Sequence, residues 1–228
     1  MNFPNAQKGI NKLIIASIIS IVGSTIIEIF VFARELAKVA PVADSSNGAT
    51  NGGAPANTAE PKYFFYLIIL GIIIMISAVV FKVLGLWQAG KDEKFFKYAL
   101  YTLSVSVCGN FFVRLIPGGD TYHMGEYVSC IFALVTLVYS IFIVQGIINI
   151  AKKKNNTVIE KKGITSFQVL IVTYLLMFVM KVVSIAIRDT AERGNVVVLE
   201  IGAVIASIVA FLVLISNMVQ ARNMMAEE

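Results

Sequence analysis

Four ionisable side chains lie inside long apolar segments of the sequence: Glu28, Arg114, Lys181 and Glu200. A charge inside a membrane-spanning segment costs free energy, so it usually faces the interior of a helix bundle, where it pairs or marks a solute pathway. With two negative and two positive charges at comparable predicted depth, the sequence predicts a neutral cluster near the outer leaflet. Such a cluster could bind an ion or a zwitterionic solute, or relay protons through one of its carboxylates.

Small and polar residues spaced four apart lead up to two of these charges. The two series are Ala16, Ser20, Ser24 and Glu28, and Thr102, Ser106, Asn110 and Arg114. Residues four apart share one face of a helix, so each series forms a stripe, with Ser24 and Asn110 at equivalent positions. Either the stripes are packing surfaces whose charges form salt bridges, or they line a water-filled vestibule that opens to the outside.

Several kinds of catalytic and metal site lack the residues that they need. The single histidine, His123, lies in a predicted outer loop, which argues against a histidine metal site or a histidine-dependent triad. A phosphate-binding GxxxxGK[ST] loop is absent. Cys108 and Cys130 lie in apolar runs without CxxC spacing, so we expect buried free thiols, with a bond between two helices as the alternative. We therefore expect neither enzymatic activity nor a cofactor.

The composition predicts a protein embedded in a lipid bilayer. Hydrophobic residues make up 57% of the 228 and charged residues 14%, and the mean hydropathy is +0.80. Soluble domains have about 45–50% apolar and about 25% charged residues. This composition excludes a disordered chain, a disulfide scaffold and an ordinary cytosolic enzyme. The net charge of +5 comes without an arginine-rich patch, so a nucleic-acid partner is not expected.

The elements that must position these residues are predicted to be six membrane-spanning helices. A hydrocarbon core about 30 Å thick needs about 20 apolar residues per helix. Six segments meet this requirement, near 10–32, 63–87, 98–116, 127–150, 167–187 and 196–218. We expect one all-α domain over 1–228, with residues 35–62, rich in Gly, Pro and Asn, as a flexible outer loop.

The lysine distribution predicts the orientation. One side collects eleven basic residues: Lys8, Lys12, Lys91, Lys94, Lys97, Lys152, Lys153, Lys154, Lys161, Lys162 and Arg222. The other side collects six: Arg34, Lys38, Lys62, Arg114, Arg188 and Arg193. Because basic residues accumulate on the cytoplasmic side, both termini are predicted to be cytoplasmic. High Ile, Lys and Asn usage favours a bacterial plasma membrane.

Weak internal similarity predicts three repeated helical hairpins. The second, fourth and sixth segments end alike, at Gln88-Ala89-Gly90-Lys91, Ile150-Ala151-Lys152-Lys153 and Gln220-Ala221-Arg222-Asn223. The simplest arrangement has an odd helix going out and an even helix returning. The pattern is that of parallel repeats, not of the inverted repeats of many transporters.

Partners beyond the bilayer are expected at two places. Lys152, Lys153 and Lys154 could bind anionic lipid headgroups. The small residues Gly202, Ala206 and Ala210 could form a contact with a second copy or a protein partner, although they serve packing within the bundle equally well.

Three function classes remain open. The first is a small-solute or ion transporter, or a subunit accessory to one, that uses Glu28, Arg114, Lys181, Glu200, Ser24 and Asn110. The second is a non-catalytic membrane scaffold or partner subunit. The third, which we do not expect, is an intramembrane enzyme, because no nucleophile–base set is recognisable in the sequence.

Overall fold

The computed structural model describes residues 3–39, 62–113, 124–187 and 193–226, and all regular structure within these ranges is helical. The described helices are α1 Pro4–Val39, α2 Lys62–Ala89, α3 Lys94–Val113, α4 Met124–Lys153, α5 Thr157–Ile187 and α6 Arg193–Ala226. The predicted all-α class is confirmed for this part of the chain.

Five of these helices are long and apolar enough to cross a membrane. The qualifying stretches are Pro4–Ile26, Ile68–Ala89, Leu134–Lys153, Thr157–Ile187 and Ile201–Ala226. Within its described residues α3 does not qualify, and it is the segment that the sequence showed to be the most polar of the six. The multi-pass character is therefore supported, whereas a sixth crossing and the orientation of the termini stay predictions.

The helix boundaries extend beyond the apolar segments that predicted them. Helix α5 begins at Thr157, so Lys161 and Lys162 lie on a helix and not in the basic loop expected there. Helix α1 continues to Val39, into the segment predicted as a loop, and residues 40–61 of that loop lie outside the described part. Hydropathy locates the stretch that suits the bilayer, whereas caps and backbone hydrogen bonds determine where a helix begins.

The turn between α4 and α5 shows such caps. Asn155 has a positive φ of 54°, the left-handed conformation that often ends a helix. The Asn156 N–H donates to the Ala151 carbonyl at 2.9 Å and the Asn155 N–H to the Lys152 carbonyl at 3.0 Å, which is the Schellman pattern. The Asn156 side chain then accepts from the Ile159 N–H at 3.0 Å and caps α5. Two adjacent asparagines thus end one helix and start the next.

By backbone contacts the chain divides into two compact units, Met1–Ile14 with Phe81–Glu228, and Ile15–Val80. Each of α1 and α2 contributes to both. In the first unit α4 packs against α3, α5 and α6, and α5 also packs against α6. The main core of that unit centres on buried residues of α4, including Ile143, Val144 and Ile147.

The start of α1 packs tightly on the end of α2 within the first unit. A Cβ at Gly9 would lie 2.4 Å from the Gly85 carbonyl oxygen and 2.6 Å from the Ala89 amide nitrogen. A Cβ at Gly85 would lie 2.8 Å from the Gly9 carbonyl oxygen. The two backbones touch directly at these glycines, where a side chain on either residue would have no space. Residues 3–14 are here called the N-terminal arm. Phe3, Ala6 and Ile10 of the arm are buried in the core.

In the second unit, α1 and α2 also approach closely at a glycine. A Cβ at Gly23 would lie 2.9 Å from Cγ2 of Ile74 and 3.1 Å from the Met75 side chain. The Ser77 hydroxyl donates to the Ile73 carbonyl of its own helix at 2.8 Å.

The small-residue face of α6 serves packing within the chain. Ala206 and Ala210 are buried, Ala203 and Ala206 cluster with Met177 of α5, and Gly202 faces the Met180 side chain. The structure shows the packing role inside the bundle, and a contact with a second copy or a protein partner stays a prediction.

Two sets of positions that the predicted repeat makes equivalent are buried alike: Leu86, Ile148 and Met218, and, three residues later, Ala89, Ala151 and Ala221, all at most 4% exposed. The next set differs, since Gly90 is buried whereas Lys152 is exposed. The threefold repeat stays a prediction.

Candidate functional site

Only part of the predicted outer cluster falls within the described residues. Arg114 lies outside them, and the side chains of Glu28, Asn110 and Glu200 also lie outside, although their backbones belong to α1, α3 and α6. The described members are Ser24 and Lys181. The meeting of the four charges stays a prediction.

Lys181 is exposed, although it shares a helix face with buried residues. It lies four residues after Met177 and three before Ser184, both buried on α5, and residues at these spacings stack on one face. Among the described residues no ion-pair partner for Lys181 is found.

Only some of the side-chain hydroxyls in the described part of the α1 stripe have a hydrogen-bond partner. The Ser24 hydroxyl donates to the Ile21 carbonyl of its own helix at 3.0 Å. The Ser20 hydroxyl, one turn earlier, is buried without a hydrogen-bond partner. Buried polar groups nearly always have a partner, in the protein or in ordered water.

The helix ends and turns that the sequence assigned to the lysine-rich side meet in the first unit. We call this region the basic end; it comprises the N-terminal arm, the α2–α3 turn, the α4–α5 turn and the C-terminal part of α6. Asn5 bonds Asp92 across 87 residues, and the Lys154 ammonium donates to the Met224 carbonyl at 3.1 Å. This convergence fits hairpins that return to one side, as the sequence predicts.

A buried carboxylate organises the centre of the basic end. Glu93 is only 4% exposed, and one of its oxygens accepts from the Lys153 ammonium at 2.6 Å. Its other oxygen lies 3.5 Å from the Asn149 amide nitrogen, and Gln145 stands 3.5 Å from Asn149 in turn. The charge-assisted hydrogen bond of 2.6 Å between Lys153 and Glu93 is of a kind that is among the stronger ones in proteins. The Lys153 ammonium also lies 5.9 Å from the centre of the Phe3 ring.

The neighbouring Asp92 caps α1 from another part of the chain. Its carboxylate accepts from the Asn5 side chain at 2.9 Å and from the Ala6 backbone N–H at 2.8 Å. A negative group at the first turn of a helix satisfies a free N–H and interacts favourably with the helix dipole. Asp92 and Glu93 thus fasten α1 and α4 to the α2–α3 turn.

The three lysines predicted to bind lipid all have partners inside the chain. Lys153 pairs with Glu93, Lys154 donates to α6, and the Lys152 ammonium lies 3.7 Å from Glu160. Lipid binding at these lysines stays a prediction, but it would compete with contacts that hold helix ends together.

A polar cleft of about 280 Å³ lies between the start of α5 and the end of α6. Its lining residues are all polar or basic: Lys161, Lys162, Thr165, Ser166, Ser216, Asn217 and Gln220. The sequence had placed the two lysines in a loop and had not singled out the others.

Neither Cys108 nor Cys130 forms a disulfide bond, as expected. Cys130 is buried, whereas Cys108 is exposed, which corrects the expectation that both are buried. Cys108 lies on α3, whose outward positions Tyr101, Val105 and Val107 are exposed as well. Over the described ranges no group of three or more His, Cys, Asp or Glu side chains could hold a metal ion.

The sequence carried a signal for the basic-end network that its interpretation missed. Gln145, Asn149 and Lys153 are spaced four apart and form a polar stripe at the end of an otherwise apolar helix. Their carboxylate partner lies about 60 residues earlier, and no periodicity in the sequence links the two.

Comparisons of the chain with protein-family models, with curated proteins and with solved structures found no match.

Proposed function

We propose that the chain is a membrane-embedded transporter of a small solute or ion, or a subunit accessory to one. The single observation that carries this proposal is Lys181, an exposed ammonium on the inward face of α5. A lysine in a spanning segment marks a solute pathway when it faces a water-filled space.

A lysine side chain in such a pathway would bind an anionic or zwitterionic solute more readily than a cation. The substrate would approach from the side opposite the basic end, since Lys181 lies six residues, or about 9 Å, from the end of α5 at Ile187.

The test is aqueous access to Lys181. In a C108A/C130A background, single cysteines at Lys181 and at Val179 are treated in intact cells with a membrane-impermeant thiol reagent. Val179 is 53% exposed and lies two residues away on the lipid-facing side of α5, so it is the matched control. We expect K181C to react and V179C not to react. A cysteine at Ser46 in the predicted outer loop checks that the reagent reaches the cells.

If K181C stays unreactive in a folded protein while S46C reacts, the vestibule is refuted. Flux of anionic and zwitterionic solutes into vesicles carrying wild type or K181Q then decides between transport and accessory roles.

The second candidate is the non-catalytic scaffold or partner subunit. It is favoured by the basic end, where the bonds of Asp92, Glu93, Lys153 and Lys154 all hold helix ends together. This candidate predicts that K153M lowers stability or assembly without abolishing the flux of any solute, and that a membrane protein co-purifies in stoichiometric amount.

A further inference from the structure

We propose that the cleft between α5 and α6 binds the phosphate group of an anionic membrane lipid. This inference concerns the basic end and is independent of the proposed transport function.

No carboxylate among the described residues compensates the charge of the cleft. Lys161 and Lys162 are exposed and have no ion pair among the described residues, and the cleft lining contains no carboxylate. Glu160, the nearest acidic residue in sequence, lies 3.7 Å from the Lys152 ammonium on the other side of the turn. Two ammonium groups without a counter-ion attract an anion, and basic pockets between helices bind lipid headgroups in this way.

Uncharged donors in the cleft suit phosphate oxygens. The Gln220 amide donates to the Ser216 hydroxyl oxygen at 3.2 Å, which leaves the Ser216 proton and the second amide N–H available to a ligand. Asn217 is 4% exposed and lies in the lining. Its amide donates to the Val213 carbonyl at 2.8 Å, so its position is fixed.

The walls of the cleft are held in place by contacts outside it. A Cβ at Gly163 would lie 2.6 Å from the Ile148 side chain, so α5 is pressed against α4 just beside the two lysines. The Lys154 bond to the Met224 carbonyl ties the end of α6 to the same turn. A site with fixed walls loses less entropy when it binds a ligand.

The position of the cleft favours a lipid over a soluble phosphate. It lies where the sequence places the edge of the bilayer, next to the predicted boundaries at 167 and 218. Along both helices, one or two turns further from the basic end, apolar residues are exposed: Val169, Val172 and Leu212 are 36%, 66% and 58% exposed, beside the polar Gln168. A headgroup in the cleft would therefore place its acyl chains over apolar side chains.

The test uses the delipidated full chain in detergent and counts bound lipids by native mass spectrometry. The probes are phosphatidylglycerol, phosphatidylcholine with the same acyl chains, and soluble glycerol phosphate. We expect phosphatidylglycerol to bind most tightly. Each lysine near a membrane surface is expected to change affinity about 5-fold, so K161Q/K162Q should raise the Kd about 25-fold, and K161R/K162R should restore it.

The matched control is K91Q/K94Q, which removes the same charge from exposed lysines of the α2–α3 turn and should change the Kd less than 2-fold. A second variant, S216F, keeps the charge but fills the cleft, and should weaken binding as K161Q/K162Q does. Circular dichroism confirms that each variant folds.

Equal losses in K161Q/K162Q and K91Q/K94Q would show general surface attraction and overturn the site. Undiminished binding in S216F would also overturn it. If glycerol phosphate binds as tightly as phosphatidylglycerol and K161Q/K162Q abolishes both, the site takes a soluble phosphate and the lipid assignment is wrong.

Discussion

Replacing Gly9 by alanine should loosen the N-terminal arm from α2, because the new methyl group has no space. Its carbon would lie 2.4 Å from the Gly85 carbonyl oxygen, about 1 Å short of ordinary van der Waals contact. The Ala89 backbone nitrogen and its Cβ lie at 2.6 and 2.8 Å, so none of these obstacles is the flexible end of a side chain. The arm and α2 must therefore separate by about 1 Å.

The size of the effect follows from two opposing contributions. Overpacking of this kind costs about 1–3 kcal/mol, and rigid backbone neighbours place Gly9 at the upper end of that range. Alanine regains about 1 kcal/mol of helix propensity over glycine. The net loss in the free energy of unfolding should therefore be about 2 kcal/mol, or about 4–8 °C in Tm for a chain of this size.

The matched control is Gly202, also inside a helix. A Cβ there would meet only the Met180 side chain, with the sulfur at 2.8 Å and the terminal methyl at 3.7 Å, and this chain can move away. We expect G202A to leave Tm unchanged or raise it by up to about 3 °C. Both variants are unfolded by heat in the same detergent and followed by circular dichroism at 222 nm. If G9A melts within 1 °C of wild type, or if G202A loses as much as G9A, the direct backbone contact is refuted.

Three further sets of variants test the basic end, with thermal unfolding as the common measurement unless another is named. K153M should cost about 1–3 kcal/mol, because the buried Glu93 carboxylate loses its ammonium partner, whose own side chain is 44% exposed, and E93Q/K153M should recover most of it; K152M, at a more exposed pair, should cost less than about 0.5 kcal/mol. D92A should cost about 1 kcal/mol and should speed hydrogen exchange at the first turn of α1, whereas unchanged exchange there would contradict the cap. N155G should be neutral or slightly stabilising and N155V should cost at least about 1 kcal/mol, since a β-branched residue resists positive φ; equal stability of the two would argue against the left-handed turn.

The membrane-spanning helices were predicted well because the length of an apolar run is enough to identify such a helix. In a bilayer, a run of about 20 apolar residues can make all its backbone hydrogen bonds only as a helix or as strands of a closed β-barrel. Five such runs are candidate membrane spans in the structure. The predicted start of α5 was wrong because the apolar run begins only near Phe167, whereas the Asn156 cap starts the helix at Thr157.

The candidate sites were predicted less well, for reasons of distance along the chain. Lys181 stood out because a charge in an apolar run is conspicuous in any sequence. Glu93 did not, because its burial depends on Lys153, 60 residues away. The α5–α6 cleft combines a basic turn of one helix with the polar end of another, and only the packing of the two helices shows that these residues share a space.

The cap on α1 constrains the order of events during synthesis. The arm leaves the ribosome before α2, but the Asp92 side chain that satisfies its first turn is encoded 87 residues after Asn5. At about 5–20 residues per second, the arm must wait about 4 to 17 s for Asp92, and longer for Lys153. During that interval the first turn of α1 has only water or lipid headgroups as partners for its N–H groups. The first turn of α1 can therefore be capped only once α2 has been made, and the pair of Glu93 with Lys153 forms only after α4 has followed.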